Sequence, residues 1–351
     1  VTNNGNTFVG TFKNNNGSTN DKFVISKSRT DIVRDGRGNN SNGNREIEPR
    51  IDSRYQNEFI IQRLYDGLNS PTSMTFLAPH DILVLEKNNG TVRRIVNGTL
   101  FDKPLLDVNV ANKVERGMVG IASTKAKNGT TIVFLYYTES KKDGDDICPK
   151  ANYCISGSKP MANRLYKYEL ADNGTKLINP ILLLDMPALP GPGHNGGRII
   201  IGPDGNIYTT IGDLMGHQTK AENYENGSNP DGTGGILRIK QDGKIVGKGI
   251  LGDMDPLNKY YAYGIRNSFG LDFDPLTGNL WDTENGPEFG DEINLVLPGF
   301  NSGWKDVQGL WYQSGGKPRG LILNDNITDN TDEIKGPVSY THLTLPTTSR
   351  V

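Results

Sequence analysis

The chain has 351 residues, with 38 Lys and Arg against 40 Asp and Glu, and a formal net charge of −2. That balance, without any basic stripe, implies no polyanion partner and argues against nucleic acid. No apolar run approaches the roughly 18 residues that a bilayer-spanning helix needs. The 43 glycines and the lack of long amphipathic helical patterns favour many short strands joined by turns.

Residues 1–55 are rich in Asn, Gly, Ser and Thr, with scattered charges and little periodicity. They read as a disordered or linker segment, a tether to a membrane anchor. Two short apolar stretches, 7–12 and 22–25, are the parts able to pair locally. The chain opens at Val1 with neither a methionine nor a signal peptide, so its start is expected to lie upstream.

From about Phe59 a unit repeats. It runs through SMTFLAPHDILVLEKNNGTVRRIV (73–96), then GMVGIASTKAKNGTTIVFLYYTE (117–139) with NRLYKYELADNGT (163–175). It returns as GRIIIGPDGNIYTTIGD (197–213) with GGILRIKQDGKI (234–245), and as GLDFDPLTGNLWDTENG (270–286) with DEINLVLPG (291–299). Each unit reads as strand, Pro/Asp/Gly turn, strand, longer loop, strand. Such a recurring order, with comparable turns roughly 60–70 residues apart, is the signature of an all-β propeller with generous loops. A sandwich lacks this recurrence, and a parallel α/β fold needs helices between its strands.

Cys148 and Cys154 lie close together in a polar loop. They read either as two free thiols or as a local disulfide if the protein is exported. Sequons occur at Asn16, Asn39, Asn89, Asn97, Asn128, Asn173, Asn226 and Asn326. Most are Asn-Gly-Thr or Asn-Gly-Ser, which also make hairpin turns, so they argue only in part for export.

The chemistry concentrates in GHNGGRIIIGPDGNIYTTIGD (193–213). It sets His194 in a glycine-rich approach to one strand and returns Asp213 at the end of the next. A histidine at the mouth of a strand pair with a carboxylate beside it is the arrangement of an oriented general base. His80, in a turn before a strand, reads as a surface residue, and His217 as structural. In YAYGIRNSFGLDFDP (261–275), Arg266 and Asn267 stand at a strand end and offer a donor fork to carboxylate or carbonyl oxygens. An inter-blade salt bridge is the plain alternative for Arg266. In TENGPEFGDEINLV (283–296), Glu284, Asn285, Glu288, Asp291 and Glu292 lie around a turn whose carbonyls are freed by Gly286 and Pro287. Oxygen-rich turns of this kind suit Ca²⁺, and the plain alternative is a solvated acidic turn. The acidic run 143–146 reads as a solvated loop.

The stretch VSYTHLTLPTT (338–348) resembles the translation of a transposase adapter used to prepare sequencing libraries. Native sequence is therefore expected to stop near Pro337. That gives an N-terminal segment 1–55, a propeller over 56–337 and a non-native tail 338–351 in which His342 carries no function.

HNGGRIIIGPDGNIYTTIGD, GGILRIKQDGKI, YAYGIRNSFGLDFDPLTGNLWDTENGPEFGDEINLV and PGFNSGW together resemble the glucose/sorbosone dehydrogenase family, over about residues 59–337. The resemblance implies a six-bladed β-propeller, cut short here by the loss of its last blade or blades. It also implies a soluble aldose dehydrogenase that uses pyrroloquinoline quinone (PQQ) and Ca²⁺. It assigns His194 as general base and Asp213 as the carboxylate that orients it. Arg266 and Asn267 would contact the quinone. The carbonyls of Gly286 and Pro287 would hold Ca²⁺, and Glu115, in VERGMVGIA, would face the sugar. RNSFG stands where the family more often has RNPQG, and ENGP replaces EHGP or EQGP. The family's C-terminal basic residues, which bind the PQQ carboxylates, fall beyond the cut. The implied reaction oxidises an aldose at C1 to the lactone, with hydride passing to PQQ and then to an unknown electron acceptor. The implied location is extracellular or periplasm-like, tethered to the cell surface. Two alternatives stand beside it: a non-catalytic cell-surface propeller that binds carbohydrate or protein, and a Ca²⁺-dependent lactonase-type hydrolase. The latter would need a central cluster of Asp, Asn and Glu side chains on the metal.

Overall fold

A computed structural model describes residues 8–13, 19–25, 59–61, 65–141, 160–287, 290–314 and 317–322. Near the N-terminus, β1 (Phe8–Lys13) and β2 (Thr19–Ile25) pair with each other, and β3 (Phe59–Ile61) pairs with β1. The two apolar stretches of the N-terminal segment thus fall on paired strands. Cys148, Cys154, the acidic run 143–146 and the tail 338–351 lie outside the described residues.

Each repeat unit folds into one antiparallel sheet. The first holds β4 (Pro71–Ala78), β5 (Asp81–Glu86), β6 (Thr91–Val96) and β7 (Thr99–Leu100) in order, with β8 (Leu106–Asp107) also on β6. The second holds β9 (Met118–Lys125), β10 (Thr131–Ser140), β11 (Pro160–Leu170) and β12 (Leu177–Met186). The third holds β13 (Ile199–Ile201), β14 (Ile207–Ile211), β15 (Gly235–Ile239) and β16 (Tyr260–Tyr263). The fourth holds β17 (Ser268–Phe273), β18 (Leu280–Glu284) and β19 (Glu292–Val296). After it, β20 (Phe300–Asn301) returns to the third sheet and runs parallel to β16. A hairpin of β21 (Val307–Ser314) and β22 (Lys317–Ile322) follows. The described residues contain no α-helix, only two short 3₁₀ turns at Lys220–Glu222 and Leu257–Lys259.

The first strands of successive sheets are neighbours: β4 lies by β9, β9 by β13, and β13 by β17. This is the radial order of a β-propeller, with each sheet a blade. Four such blades lie within the described residues. Their cores sit between blades rather than at a common centre, and β10 shows why. Its residues alternate faces with the strand's period of two. Val133, Leu135 and Tyr137 pack toward the first blade, with Leu83, Leu85 and Val92. Ile132, Phe134 and Tyr136 pack toward the third, with Ile199, Ile207 and Leu237. A strand buried on both faces reads as an apolar run without polar alternation, as TIVFLYY does. Each such side chain contributes about 1.5–3 kcal/mol by leaving water. The third and fourth blades repeat the arrangement through Tyr208, Ile236 and Tyr261 against Leu271, Leu280 and Val296.

Blades approach most closely where glycine allows it. A Cβ on Gly120 in β9 would lie 2.0 Å from the carbonyl oxygen of Gly197, just before β13. Neither partner is a flexible side-chain tip, so the two blades would have to separate. Gly120→Ala is therefore expected to destabilise the protein by about 3 kcal/mol, at the upper end of overpacking. Gly129→Ala, at φ +87° in open space, should cost only about 1–2 kcal/mol. Urea unfolding midpoints of the two variants check the difference.

Candidate active site

The loop before β13 carries His194 at φ +59°, in the left-handed region. That conformation costs a non-glycine residue about 1 kcal/mol or more, and persists only where surroundings hold it. Here they do. Glu115 Oε2 accepts the His194 N–H at 2.5 Å. The next residue, Asn195, is tied by its side chain to the Pro192 carbonyl at 2.6 Å and to Asn163 at 3.0 Å, and its carbonyl accepts from the Tyr136 hydroxyl at 2.9 Å. The imidazole is thus set by ties to the second blade.

Asp213 follows β14 after a single glycine, Gly212. Its Oδ1 lies 2.5 Å from His194 Nδ1 and also accepts the Met215 N–H at 2.9 Å. A carboxylate is an acceptor only, so Nδ1 is the donor of the pair, and the neutral imidazole held this way has its lone pair on Nε2. Asp213 Oδ2 accepts the indole N–H of Trp304 at 2.8 Å. The Asp213 amide donates to the carbonyl of Arg266 at 2.9 Å, which draws the third and fourth blades together. The residue before it must be small: a Cβ on Gly212 would meet Arg266 O at 2.3 Å and His194 O at 2.6 Å.

Arg266 stands between β16 and β17. Its guanidinium carbon lies 5.3 Å from the Trp304 ring centroid, and Nη1 donates to the Asn285 carbonyl at 2.9 Å. Nε is buried without a partner. The salt bridge considered for Arg266 is not formed: among the described residues no carboxylate pairs with it. Burial holds its pKa below the ordinary arginine value. Asn267 bridges inward, its amide donating to Glu115 Oε2 at 3.1 Å and its oxygen accepting from Gly196 at 3.3 Å. Glu115 Oε2 therefore braces His194 and Asn267 together.

In the turn after β18, the Gly286 N–H donates to Asp291 Oδ1 at 3.0 Å. Among the described residues no donor takes the carbonyl of Gly286 or Pro287. Glu284 and Glu292 are not turn ligands but buried, directly paired strand residues. Glu284 accepts the Arg266 N–H at 2.6 Å and the Ser302 hydroxyl at 2.6 Å. Burial, and then Glu292, push its pKa up to about 8. Burial pushes Glu292 up to about 7, and Asp282 rises well above the carboxylate range for the same reason. Glu288 lies outside the described residues.

The structure thus brings His194, Asp213, Glu115, Arg266 and Asn267 into one hydrogen-bonded cluster. Gly286 and Pro287 follow Asn285, whose carbonyl Arg266 holds. His80 is an exposed turn residue. His217 binds Asp231 through Nε2 at 2.6 Å and donates its N–H to the Asp213 carbonyl, which is structural work. Trp304 and Glu222 were not singled out from sequence. The tryptophan belongs to the quoted PGFNSGW motif, but nothing in its spacing points to Asp213.

The family model for glucose/sorbosone dehydrogenase matches residues 68–343. The chain belongs to the glucose/sorbosone dehydrogenase family. It is 30% identical to quinoprotein glucose dehydrogenase B of Acinetobacter calcoaceticus, over 72% of this chain and 53% of that protein. Among solved structures it resembles an oxidoreductase of Thermus thermophilus, described as a glucose dehydrogenase, with TM-score 0.59 and 27% identity over 79% of this chain and 71% of the other. It also resembles the PQQ-bound aldose sugar dehydrogenase of Streptomyces coelicolor, with TM-score 0.55 and 26% identity over 78% and 68%. The chain spans between 53% and 61% of the length of the first three curated relatives it matches.

Glu222 anchors the segment that carries Trp304. Its backbone carbonyl accepts the Lys305 N–H at 2.9 Å, and the neighbouring Asn223 amide donates to the Trp304 carbonyl at 2.7 Å. Burial pushes the Glu222 carboxyl up to about 7, although the Thr219 amide and hydroxyl and the Thr233 hydroxyl all donate to it. A carboxyl whose folded pKa exceeds its unfolded one binds more protons when folded. Its contribution is then most favourable below about pH 4.5 and is lost as pH rises through about 7. Glu222→Gln, which stays neutral, should lack this decline. The difference in Tm between variant and wild type should move in the variant's favour from pH 5 to pH 8, read by thermal melts across that range.

Proposed function

We propose that the protein is a PQQ-dependent sugar dehydrogenase that oxidises an aldose at C1 to the lactone. The observation that carries this reading is the His194–Asp213 pair joined through one indole to Arg266, which has no carboxylate partner among the described residues. Family membership makes sugar oxidation the general function. The specific reaction, the six-blade count and an extracellular or periplasm-like location belong to the proposal. The location draws on the sequons. The described residues contain no helix long and apolar enough to cross a membrane.

The donor set fits a quinone. The guanidinium has no carboxylate partner among the described residues, and its buried Nε lacks an acceptor. Arg266 and Asn267 would hold the cofactor, and the carbonyls of Gly286 and Pro287, which take no donor among the described residues, would hold Ca²⁺, which accepts backbone oxygens readily. When bound, PQQ supplies the two-electron acceptor for the hydride leaving C1. His194 Nε2 takes the proton of the C1 hydroxyl as the C1–H bond breaks and the C1–O bond gains double-bond character. Asp213 keeps the tautomer that leaves Nε2 bare and stabilises the imidazolium that forms. Arg266 faces the negative charge that builds on the acceptor side. Glu115 has one oxygen engaged internally, so its sugar contact would run through Oε1.

The lactonase alternative finds no support: among the described residues no group of three or more His, Cys, Asp or Glu is arranged to hold a metal ion. The decisive experiment is reconstitution of the whole protein with PQQ and Ca²⁺, followed by dye reduction with a panel of aldoses. Turnover dependent on both additions is expected. Tight PQQ binding without oxidation of any sugar would overturn the catalytic reading in favour of a binding propeller. In the active protein, His194→Ala should lower turnover about 10²–10⁴-fold, the usual worth of a general base, with PQQ affinity kept within about twofold. Unchanged turnover would remove His194 from the role.

A further inference from the structure

We infer that Trp304 is a positioning residue that couples the two halves of the site: its indole edge fixes Asp213 against His194, and its ring face seats the Arg266 guanidinium. This rests on the reading of His194 as base and Arg266 as the quinone's contact.

Asp213 has only 5% of its side chain exposed. Its Oδ1 has two donors, the imidazole and the Met215 amide, whereas among the described residues Oδ2 has only the indole N–H. A carboxylate turns easily about its last torsion. Donors on both oxygens stop that rotation and hold Oδ1 on Nδ1. The indole is suited to the task because it donates and never accepts, so it cannot compete with His194 for the proton.

The other side of the same ring solves a different problem. Arg266 has to be held in place without being neutralised. A carboxylate beneath it would fix the guanidinium but cancel its pull on developing negative charge. An aromatic face attracts the cation and leaves its charge available. Trp304 lies under Arg266 at 5.3 Å, and the remaining hydrogen bond of the guanidinium goes to a neutral carbonyl. Phenylalanine would supply the face without the donor, and leucine neither.

The backbone of Trp304 is well anchored. The Trp304 amide donates to the Gly264 carbonyl at 3.0 Å, and its carbonyl accepts from Asn223 at 2.7 Å. Its position follows from the parallel pairing of β20 with β16, which places the segment after β20 under the blade edge that carries Arg266.

The test uses the whole protein and separates the two roles. With PQQ and Ca²⁺ present, Trp304→Phe should lower kcat about tenfold, the loss of a hydrogen bond to a charged group, with PQQ affinity within about twofold of wild type. Trp304→Leu should lower kcat at least as much and weaken PQQ binding about fivefold or more. Without PQQ, Asp213→Asn should move the Trp304 indole N–H resonance upfield in a ¹H–¹⁵N spectrum, while that of Trp281 stays in place. Wild-type kcat in Trp304→Phe, or an indole resonance indifferent to Asp213→Asn, would reduce Trp304 to packing. Equal loss of PQQ affinity in both variants would overturn the division between edge and face. If Trp304→Leu fails to fold, the Asp213→Asn spectrum decides alone. If the wild-type protein binds no PQQ, the redox reading fails, and the indole resonance still reports whether Trp304 and Asp213 are joined.

Discussion

The carboxylate of Asp213 takes hydrogen bonds from the imidazole of His194, the amide of Met215 and the indole of Trp304, while its own amide holds the carbonyl of Arg266. These groups come from four separate stretches of chain. Remove the carboxylate and the histidine loses its tautomer, the indole its anchor point and the cluster its shared charge. A buried carboxylate survives in such a place because its neighbours are donors. Both oxygens of the Asp213 carboxylate are satisfied in this way, and a satisfied buried polar group rigidifies what it joins.

The propeller supplies the rigidity that this network needs. Blades are held by apolar layers on both faces, so strand ends are fixed relative to one another to within side-chain packing. Loops at those ends can then carry strained or polar residues without loosening the fold. His194 in its left-handed conformation and the close passage at Gly212 are such residues. Polar cross-links reinforce the inner strands, as where the Thr210 hydroxyl donates to the Ser268 carbonyl at 2.9 Å.

Much of this was legible in the sequence, for identifiable reasons. The repeat was visible because each blade needs the same turn residues in the same order, and all four units correspond to sheets. His194 and Asp213 could be paired because a single tight hairpin separates them. Arg266 and Asn267 stood out at a strand end. The calcium-like reading of Glu284 and Glu292 went astray because an acidic residue in a turn and one buried in a strand look alike without the register. Only the pairing of Glu284 with Glu292 shows that both face inward. Trp304 stayed hidden for a related reason. It lies 91 positions from Asp213, and no local pattern foretells that β20 crosses back to the third blade.

That return of β20 has a consequence for the order in which the molecule is made. Synthesis runs from the N-terminus, and domains organise as they emerge. The third blade, with His194 and Asp213 in place, leaves the ribosome before the fourth, and Trp304 follows both. A nascent chain that has not yet reached residue 300 holds its imidazole and carboxylate without the clasp that joins them to Arg266. The base and its orienting carboxylate are thus in place before the clasp that links them to Arg266, and the site waits on the segment after β20 for its completion.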